Sequence, residues 1–490
     1  MEPRSPGIRA VCRAWTAGAL ALAALCLGGC ATNPATGQSQ LTLFTEAEEI
    51  ELGLQADREL LQTYPEYTED PALAAYVSGL GLAMAAQSER PDLPWAFRIL
   101  DDETINALAL PGGQIYVTRG LLAHLGRESE LAGVLGHEIG HVTARHAIHG
   151  ISRDLALSVA MVAGLVLLDA EDAEAVAGLG LQLLFLKFSR NQERQADGLA
   201  VRYAPRVGLD PYGAVDALRI LAQVSAADGE GGFPTWLSTH PDPDNRWQRL
   251  AQEQGLEAVA DAAALAADRE RYVSRLDGLV LGTDPRNGVV DGRVYTHLRD
   301  GFRIAFPPGW TIERDGRSVV AASPDEDAAV LLQPSTEASV AAAEAALLAE
   351  EGVTTGPPWD ENLGGLPARV IGFDADLDGT DVRGYAALVP LGGRVLEVIA
   401  LSELSAFEER RHPLYDTIRS VRRLAAGETA AARPQRLRVV RLDRPASLRQ
   451  LAPGAAAEDL ARLALLNGVD PAAADEPLAA GRWVKLVGGT

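Results

Sequence analysis

Cysteine is almost absent from this chain. Its 490 residues hold three, Cys12, Cys26 and Cys30, all within the first thirty positions. Downstream of them a disulfide scaffold and a cysteine nucleophile are excluded, and any metal site must use His, Asp or Glu. Positive charge is also scarce: 44 Lys and Arg against 67 Asp and Glu give a formal net charge of −23. Such a surface repels phosphate backbones and excludes nucleic acid as a partner. No apolar segment reaches the roughly 20 residues that a membrane-spanning helix needs, and no tandem repeat is visible. What remains, 47% hydrophobic and 23% charged, is an ordinary globular composition. The length calls for about two to four domains.

The first thirty residues stand apart. Arg4, Arg9 and Arg13 form a basic stretch, and Trp15 to Leu27 follows without charge. That is the layout of a secretory signal. It ends Leu27-Gly28-Gly29-Cys30, which resembles a bacterial lipobox. The resemblance implies that residues 1–29 are a lipoprotein signal peptide and that Cys30 is lipidated. Ala31, where aspartate is absent, implies an anchor at the inner face of the outer membrane of a Gram-negative cell, with the chain in the periplasm. Two or more acyl chains hold stably where one holds marginally.

Beyond this leader, Leu41 to about Gln87 reads as helix and Trp95 to Leu100 as a strand. Pro111-Gly112-Gly113 breaks the chain before the alternating run Gln114-Ile115-Tyr116-Val117-Thr118. Glu128 to His146 is the clearest helix, with acids in its first turn and Leu131, Val134, Leu135 and Ile139 along one side. Leu155 to Leu168 reads as an apolar helix, buried or lining a groove, with a membrane-dipping segment as the alternative; Glu171 to Phe188 is another apolar helical stretch and leads into a polar helix holding Glu193. Gly282 to Gly292 is a turn-rich linker. Strands and an Ala-rich helix, Ala341 to Glu351, follow. Gly427 to Pro434 is a second linker.

His137-Glu138-Ile139-Gly140-His141 is an H-E-x-x-H motif on the clearest helix. Residues four apart stack on one helix face, so two imidazoles can bind one ion with the glutamate beside it. A metzincin would place Gly at 144 and His at 147; Ala144 and Ala147 exclude that class. His146 and His149 read as surface or packing residues. Glu193 and Asp197, four apart on their own helix, offer a third ligand and a carboxylate to orient a ligand imidazole. Ala196 is small enough to let that helix approach another closely.

These stretches resemble the HtpX/BepA/CAAX-protease-type family of gluzincin metallopeptidases. The likeness runs over about residues 40 to 275. It rests on Asn106-Ala107, Leu110 to Val117, Glu130-Leu131-Ala132, the motif through His146, Phe188-Ser189-Arg190, Glu193 to Asp197, and Ser238-Thr239-His240-Pro241 with Arg246. The soluble lipoprotein branch fits best. The resemblance implies a zinc endopeptidase that removes misfolded or unassembled envelope proteins. One Zn2+ would be held by His137, His141 and Glu193, with Glu138 as general base toward a water at the zinc. His240 and Arg246 are candidate oxyanion donors. Alternatively, His240 reaches the zinc and holds the enzyme latent, or simply ends a loop, and Arg246 pairs with an acid. Gln114, Ile115, Tyr116 and Val117 are expected at the cleft edge, pairing with an extended polypeptide.

The fold class that follows is a mainly α metallopeptidase domain with a small edge sheet over 30–280, an α+β accessory domain over 292–425, and a small α+β module over 435–488. The last resembles a degenerate LysM module, which makes peptidoglycan a possible partner. Its usual opening Gly-Asp-Thr is replaced by Arg444-Pro445-Ala446-Ser447. His297 and His412 read as lone structural or surface residues. A latent chaperone or scaffold for envelope assembly is the competing function.

Overall fold

Small residues and prolines decide how the first half of this chain packs. The computed structural model describes residues 30–165, 187–225, 236–240 and 245–488, apart from 316, 351, 378, 426, 427 and 429–432. The expected leader at 1–29 and most of the helix expected over 171–188 lie outside the described residues. A hairpin of β1 (Cys30–Thr32) and β2 (Ser39–Leu41) precedes α1 (Glu46–Thr63) and α2 (Pro71–Ala85). The single helix expected from Leu41 to Gln87 is therefore two. Proline lacks the N–H of a helix interior but suits a first turn. Pro65 lies beyond the end of α1, and Pro71 opens α2 behind Asp70, which accepts the Leu73 N–H at 2.9 Å.

Three strands form the next layer: β3 (Ala96–Leu100), β4 (Ala107–Leu110) and β5 (Gln114–Thr118). β5 lies in the middle, parallel to β3 and antiparallel to β4. This corrects the expectation that Gln114, Ile115, Tyr116 and Val117 form the substrate edge. Both hydrogen-bonding edges of β5 are taken by its neighbours and all its residues are buried, so an extended peptide finds no free backbone there. The alternation in the sequence marks a strand, but it does not say which strands flank it.

α3 (Arg119–His124) and α4 (Glu128–Thr143) follow, and α4 is buried along almost its whole length. β4 packs on it. Around it lie α5 (His146–Leu165), α6 (Arg190–Tyr203), α7 (Tyr212–Ser225), α8 (Trp236–Thr239), α9 (Arg246–Gln254) and α10 (Ala262–Val273). α6 and α7 pack on α4 almost backbone to backbone. A Cβ on Gly140 would lie 3.1 Å from the Ala196 Cα, one on Gly136 3.0 Å from the Ala200 Cα, and one on Gly133 2.5 Å from the Ala214 Cα. Glycines three and four apart share a face, and that face receives both helices.

The following α+β region holds two antiparallel sheets. In one, β6 (Val289–Asp291), β7 (Val294–His297), β8 (Phe302–Ala305) and β17 (Arg422–Arg423) run in the order β17-β8-β7-β6. The other comprises β9 (Thr311–Asp315), β10 (Ser318–Ala322), β11 (Ala328–Pro334), β12 (Val353–Thr355), β13 (Trp359–Leu363), β14 (Leu366–Leu377), β15 (Thr380–Leu391) and β16 (Arg394–Glu403). Its order is β12-β14-β15-β16-β11-β10-β9, with β13 also on β14. The expected Ala-rich helix is α11 (Val340–Ala349). A helix the sequence reading passed over, α12 (Phe407–Arg419), packs Leu414 and Ile418 against this region. Pro413 inside it is the residue that conceals it, since proline usually ends a helix.

The chain closes with β18 (Arg436–Arg441), α13 (Leu448–Leu451), α14 (Ala457–Leu466) and β19 (Trp483–Gly488), a strand–helix–helix–strand unit whose strands pair antiparallel. It is tied to the first half. Leu437 exchanges backbone hydrogen bonds with Gly278 and Leu279, both at 2.8 Å. Arg269 of α10 donates to Trp483 O at 2.7 Å and to Asn467 Oδ1 at 3.2 Å. The wholly buried Lys485 donates to Ala123 O at 2.6 Å and Leu125 O at 2.8 Å, orphan carbonyls at the end of α3. Among the described residues no helix is long and apolar enough to cross a membrane. Lys485→Ala is expected to strand those carbonyls, destabilise the chain by about 1–3 kcal/mol, and expose the 435–488 unit to limited proteolysis. An unchanged melting curve and cleavage pattern would show that Lys485 does not hold it.

Candidate metal centre

α4 carries the motif because its glycines, weak helix formers in isolation, are buried where only they fit. It ends at Ala144, and Arg145 takes a left-handed conformation at φ 57. That turn redirects the chain before α5. On α6, Ser189 caps the helix in a box with Gln192, and Glu193 and Asp197 face α4 one turn apart.

The close approach of α6 brings four donors together. His137, His141, Glu193 and His240 each offer an atom within 4.8 Å of the others, and all four are buried. His137 Nε2 lies 3.0 Å from His141 Nε2, and Glu193 oxygens lie 3.5 Å from His141 Nε2 and 3.6 Å from His137 Nε2. His240 follows α8, stacked on Trp236 with ring centroids 4.7 Å apart. Its Nδ1 is 3.0 Å from Glu193 Oε1 and 3.3 Å from His137 Nε2. Glu138 is buried beside this ring, with Oε1 3.7 Å from His240 Nε2. That oxygen has no hydrogen-bond partner among the described residues.

Behind the ring sits Arg246, at the start of α9. Its Nε and Nη2 hold the Asp197 carboxylate at 2.8 and 2.6 Å, and its Nη1 is 2.6 Å from Glu193 Oε2. The guanidinium also lies over the Trp236 ring at 4.7 Å. Of the roles expected for Arg246, pairing with acids is the one its geometry supports. Asp197 Oδ1 is 3.0 Å from His137 Nδ1, so the imidazole N–H points at a carboxylate and the other nitrogen is left bare. Burial works against the Asp197 charge, but Arg246 and the His137 bond outweigh it and hold the carboxyl well below its usual range. The Glu193 carboxyl is likewise lowered despite burial, by His240 and Arg246.

His146 is the residue the sequence reading missed. The left-handed turn at Arg145 swings it back, so that its Nδ1 meets His141 Nδ1 at 3.0 Å and its Nε2 meets Gln195 Oε1 at 3.2 Å. A helix continued past Thr143 would have put it on another face, and nothing in the residue pattern announces the turn. His149 donates to Leu41 O at 3.0 Å and is packing. His297 is buried in β7, stacked on Phe302, and His412 is exposed on α12; neither approaches the centre.

Residues 71–254 match the family model described as Peptidase family M48. The chain carries an M48 peptidase domain. It is 32% identical over 186 residues to the beta-barrel assembly-enhancing protease of Yersinia pestis, covering 36% of this chain and 38% of that protein. It is 33% identical over 175 residues to mitochondrial metalloendopeptidase OMA1 of Arabidopsis thaliana, covering 36% and 35%. With OMA1 of Schizosaccharomyces pombe the identity is 32% over 178 residues, covering 36% and 52%. The chain thus spans about a third to a half of the length of these relatives.

M48 metallopeptidases are zinc-dependent, and the residues of this domain fit that ion. Imidazole nitrogens and a carboxylate are zinc donors. Beside these donors the buried Glu138 Oε1 has no hydrogen-bond partner among the described residues, and the Glu193 carboxyl is held below its usual range, so an anionic oxygen and imidazole nitrogens face one point as a divalent cation requires. Because the donors converge only when α6 lies against α4, Ala196→Leu is expected to prise the helices apart. It should destabilise the domain by about 1–3 kcal/mol and weaken zinc binding, read by thermal denaturation and chelator competition. Full zinc affinity in this variant would show that the close approach is not what assembles the donors.

Proposed function

We propose that the chain is a zinc-dependent endopeptidase of the bacterial envelope that hydrolyses misfolded or unassembled proteins. The observation that carries this reading is the convergence of His137, His141 and Glu193 beside Glu138, whose buried Oε1 has no hydrogen-bond partner among the described residues. His137, His141 and Glu193 would hold the zinc. Bound there, the metal supplies Lewis acidity toward a scissile carbonyl and lowers the pKa of water. Glu138 takes a proton from the attacking water and returns it to the leaving amine. Asp197 fixes His137 through Nδ1, and Arg246 keeps both carboxylates ionised. The envelope role draws on the M48 match and on relatives named for β-barrel assembly. A lipid anchor on Cys30 at the outer membrane belongs to the same proposal. So does peptidoglycan contact by the 435–488 unit, whose strand–helix–helix–strand order supports a LysM-like reading.

The place of His240 favours a second reading. It stands within the donor ring, against Glu193, where a fourth donor closes the position that a catalytic zinc site keeps open. In that state the chain is latent and serves as a chaperone or scaffold.

Zinc content and casein cleavage of the mature chain without lipid, of Glu138→Gln and of His240→Ala separate these readings. Glu138→Gln is expected to retain one zinc and lose cleavage; a cleaving Glu138→Gln form would sink the mechanism. His240→Ala is expected to keep zinc and cleave faster than the unaltered chain, which would establish closure by His240. Zinc bound without cleavage by any form would favour the scaffold.

A further inference from the structure

The two motif histidines are oriented by different partners. His137 faces a carboxylate, which can only accept. His141 faces imidazoles on both sides, the bare Nε2 of His137 at 3.0 Å from its Nε2 and His146 Nδ1 at 3.0 Å from its Nδ1, so only an acceptor fixed on the Nδ1 side can draw its proton away from the donors. The fixed point lies at Asn33. Its Oδ1 accepts the backbone N–H groups of Ala35 at 2.9 Å and Thr36 at 3.2 Å. Its Nδ2 donates to Ala144 O at 3.2 Å and Gln40 Oε1 at 3.1 Å. Backbone amides only donate and carbonyls only accept, so the side chain has one possible orientation.

That orientation passes along a chain. Gln195 approaches Asn33 Oδ1 at 3.4 Å and must present its Nε2 there. Its Oε1 then faces His146 Nε2 and can only accept. His146 therefore carries its proton on Nε2, and its Nδ1 is bare. Facing that bare nitrogen at 3.0 Å, His141 Nδ1 must carry a proton. Turned the other way, Gln195 would set two acceptor oxygens against each other, and the His141 proton would sit on Nε2, the atom among the donors. We infer that Asn33, Gln195 and His146 form a hydrogen-bond relay of fixed direction that positions His141 and keeps its Nε2 bare for the metal. This rests on the proposed ligand role of His141. These are positioning residues; none touches a reacting atom.

The relay holds His141 without adding charge. A carboxylate at Gln195 would bring another negative group beside Glu193, already buried with Asp197. The relay also begins three residues after Cys30, so the segment nearest the proposed anchor reaches a metal ligand through two side chains.

Two-bond 1H–15N spectra of the metal-free, unaltered chain read the tautomers directly. The expected result is a proton on Nδ1 of His141 and on Nε2 of His146; the reverse pair would overturn the relay. Chelator competition then reads the zinc dissociation constant of His146→Phe and Asn33→Leu, with near-ultraviolet circular dichroism checking the fold. His146→Phe is expected to bind zinc about 10- to 100-fold more weakly, and Asn33→Leu to weaken it in the same direction. Unaltered affinity in both would also overturn the inference. A wild-type chain that binds no zinc would remove the proposed function, while the tautomer pair would still decide the relay.

Discussion

Where Gly140 faces Ala196 and Gly136 faces Ala200, two helix backbones meet so closely that a Cβ on either glycine would lie 3.0–3.1 Å from the facing Cα. The rest of the centre depends on that contact. A helix spaced off by ordinary side chains would lie about 8–10 Å away, axis to axis, and Glu193 would fall short of the motif histidines. Glycine costs helix stability, so glycines along one face are tolerated only where neighbouring packing compensates. Here α6 and α7 both dock on that face, and the same contact that stabilises the domain sets the reach of its donors.

Close approach also concentrates charge. Glu193 and Asp197 would be expelled or protonated if buried alone. Arg246 prevents this from the far side, and its guanidinium suits two carboxylates because its donors fan out in one plane. The arrangement explains why Trp236 lies where it does: it stacks on Arg246 and on His240 together. The segment around Trp236 therefore carries one side chain into the donor ring and braces another behind it.

What the sequence discloses follows from the range of each signal. The His137, Glu138 and His141 spacing is a property of one helix turn, and Glu193 with Asp197 repeats it on a second helix; both can be read from residues alone. Ala196 was legible as a close-packing residue for the same reason. The order of strands is not local. Gln114 to Thr118 alternates as any strand does, and only pairing with β3 and β4 shows it to be central. His146 escaped because one residue, Arg145, leaves the helical basin, and a non-glycine residue at φ 57 has no sequence signature. α12 escaped because Pro413 mimics a stop. The accessory sheets were legible strand by strand but not in their order, which long-range contacts alone decide.

The two histidine supports complete the physical picture. A carboxylate such as Asp197 can only accept, and so fixes the N–H of the imidazole it holds toward itself. A neutral partner holds direction with less electronic effect. Using one of each limits the negative charge packed around Glu193 while keeping both Nε2 atoms bare. It also divides the centre between two sources of rigidity. His137 is fixed from within the helical core, by α6 and α9. His141 is fixed through α6 to the N-terminal hairpin, whose turn at Asn33 is held by its own backbone amides. Geometry at one ligand is thus a property of the core, and at the other a property of how the N-terminal hairpin sits on it.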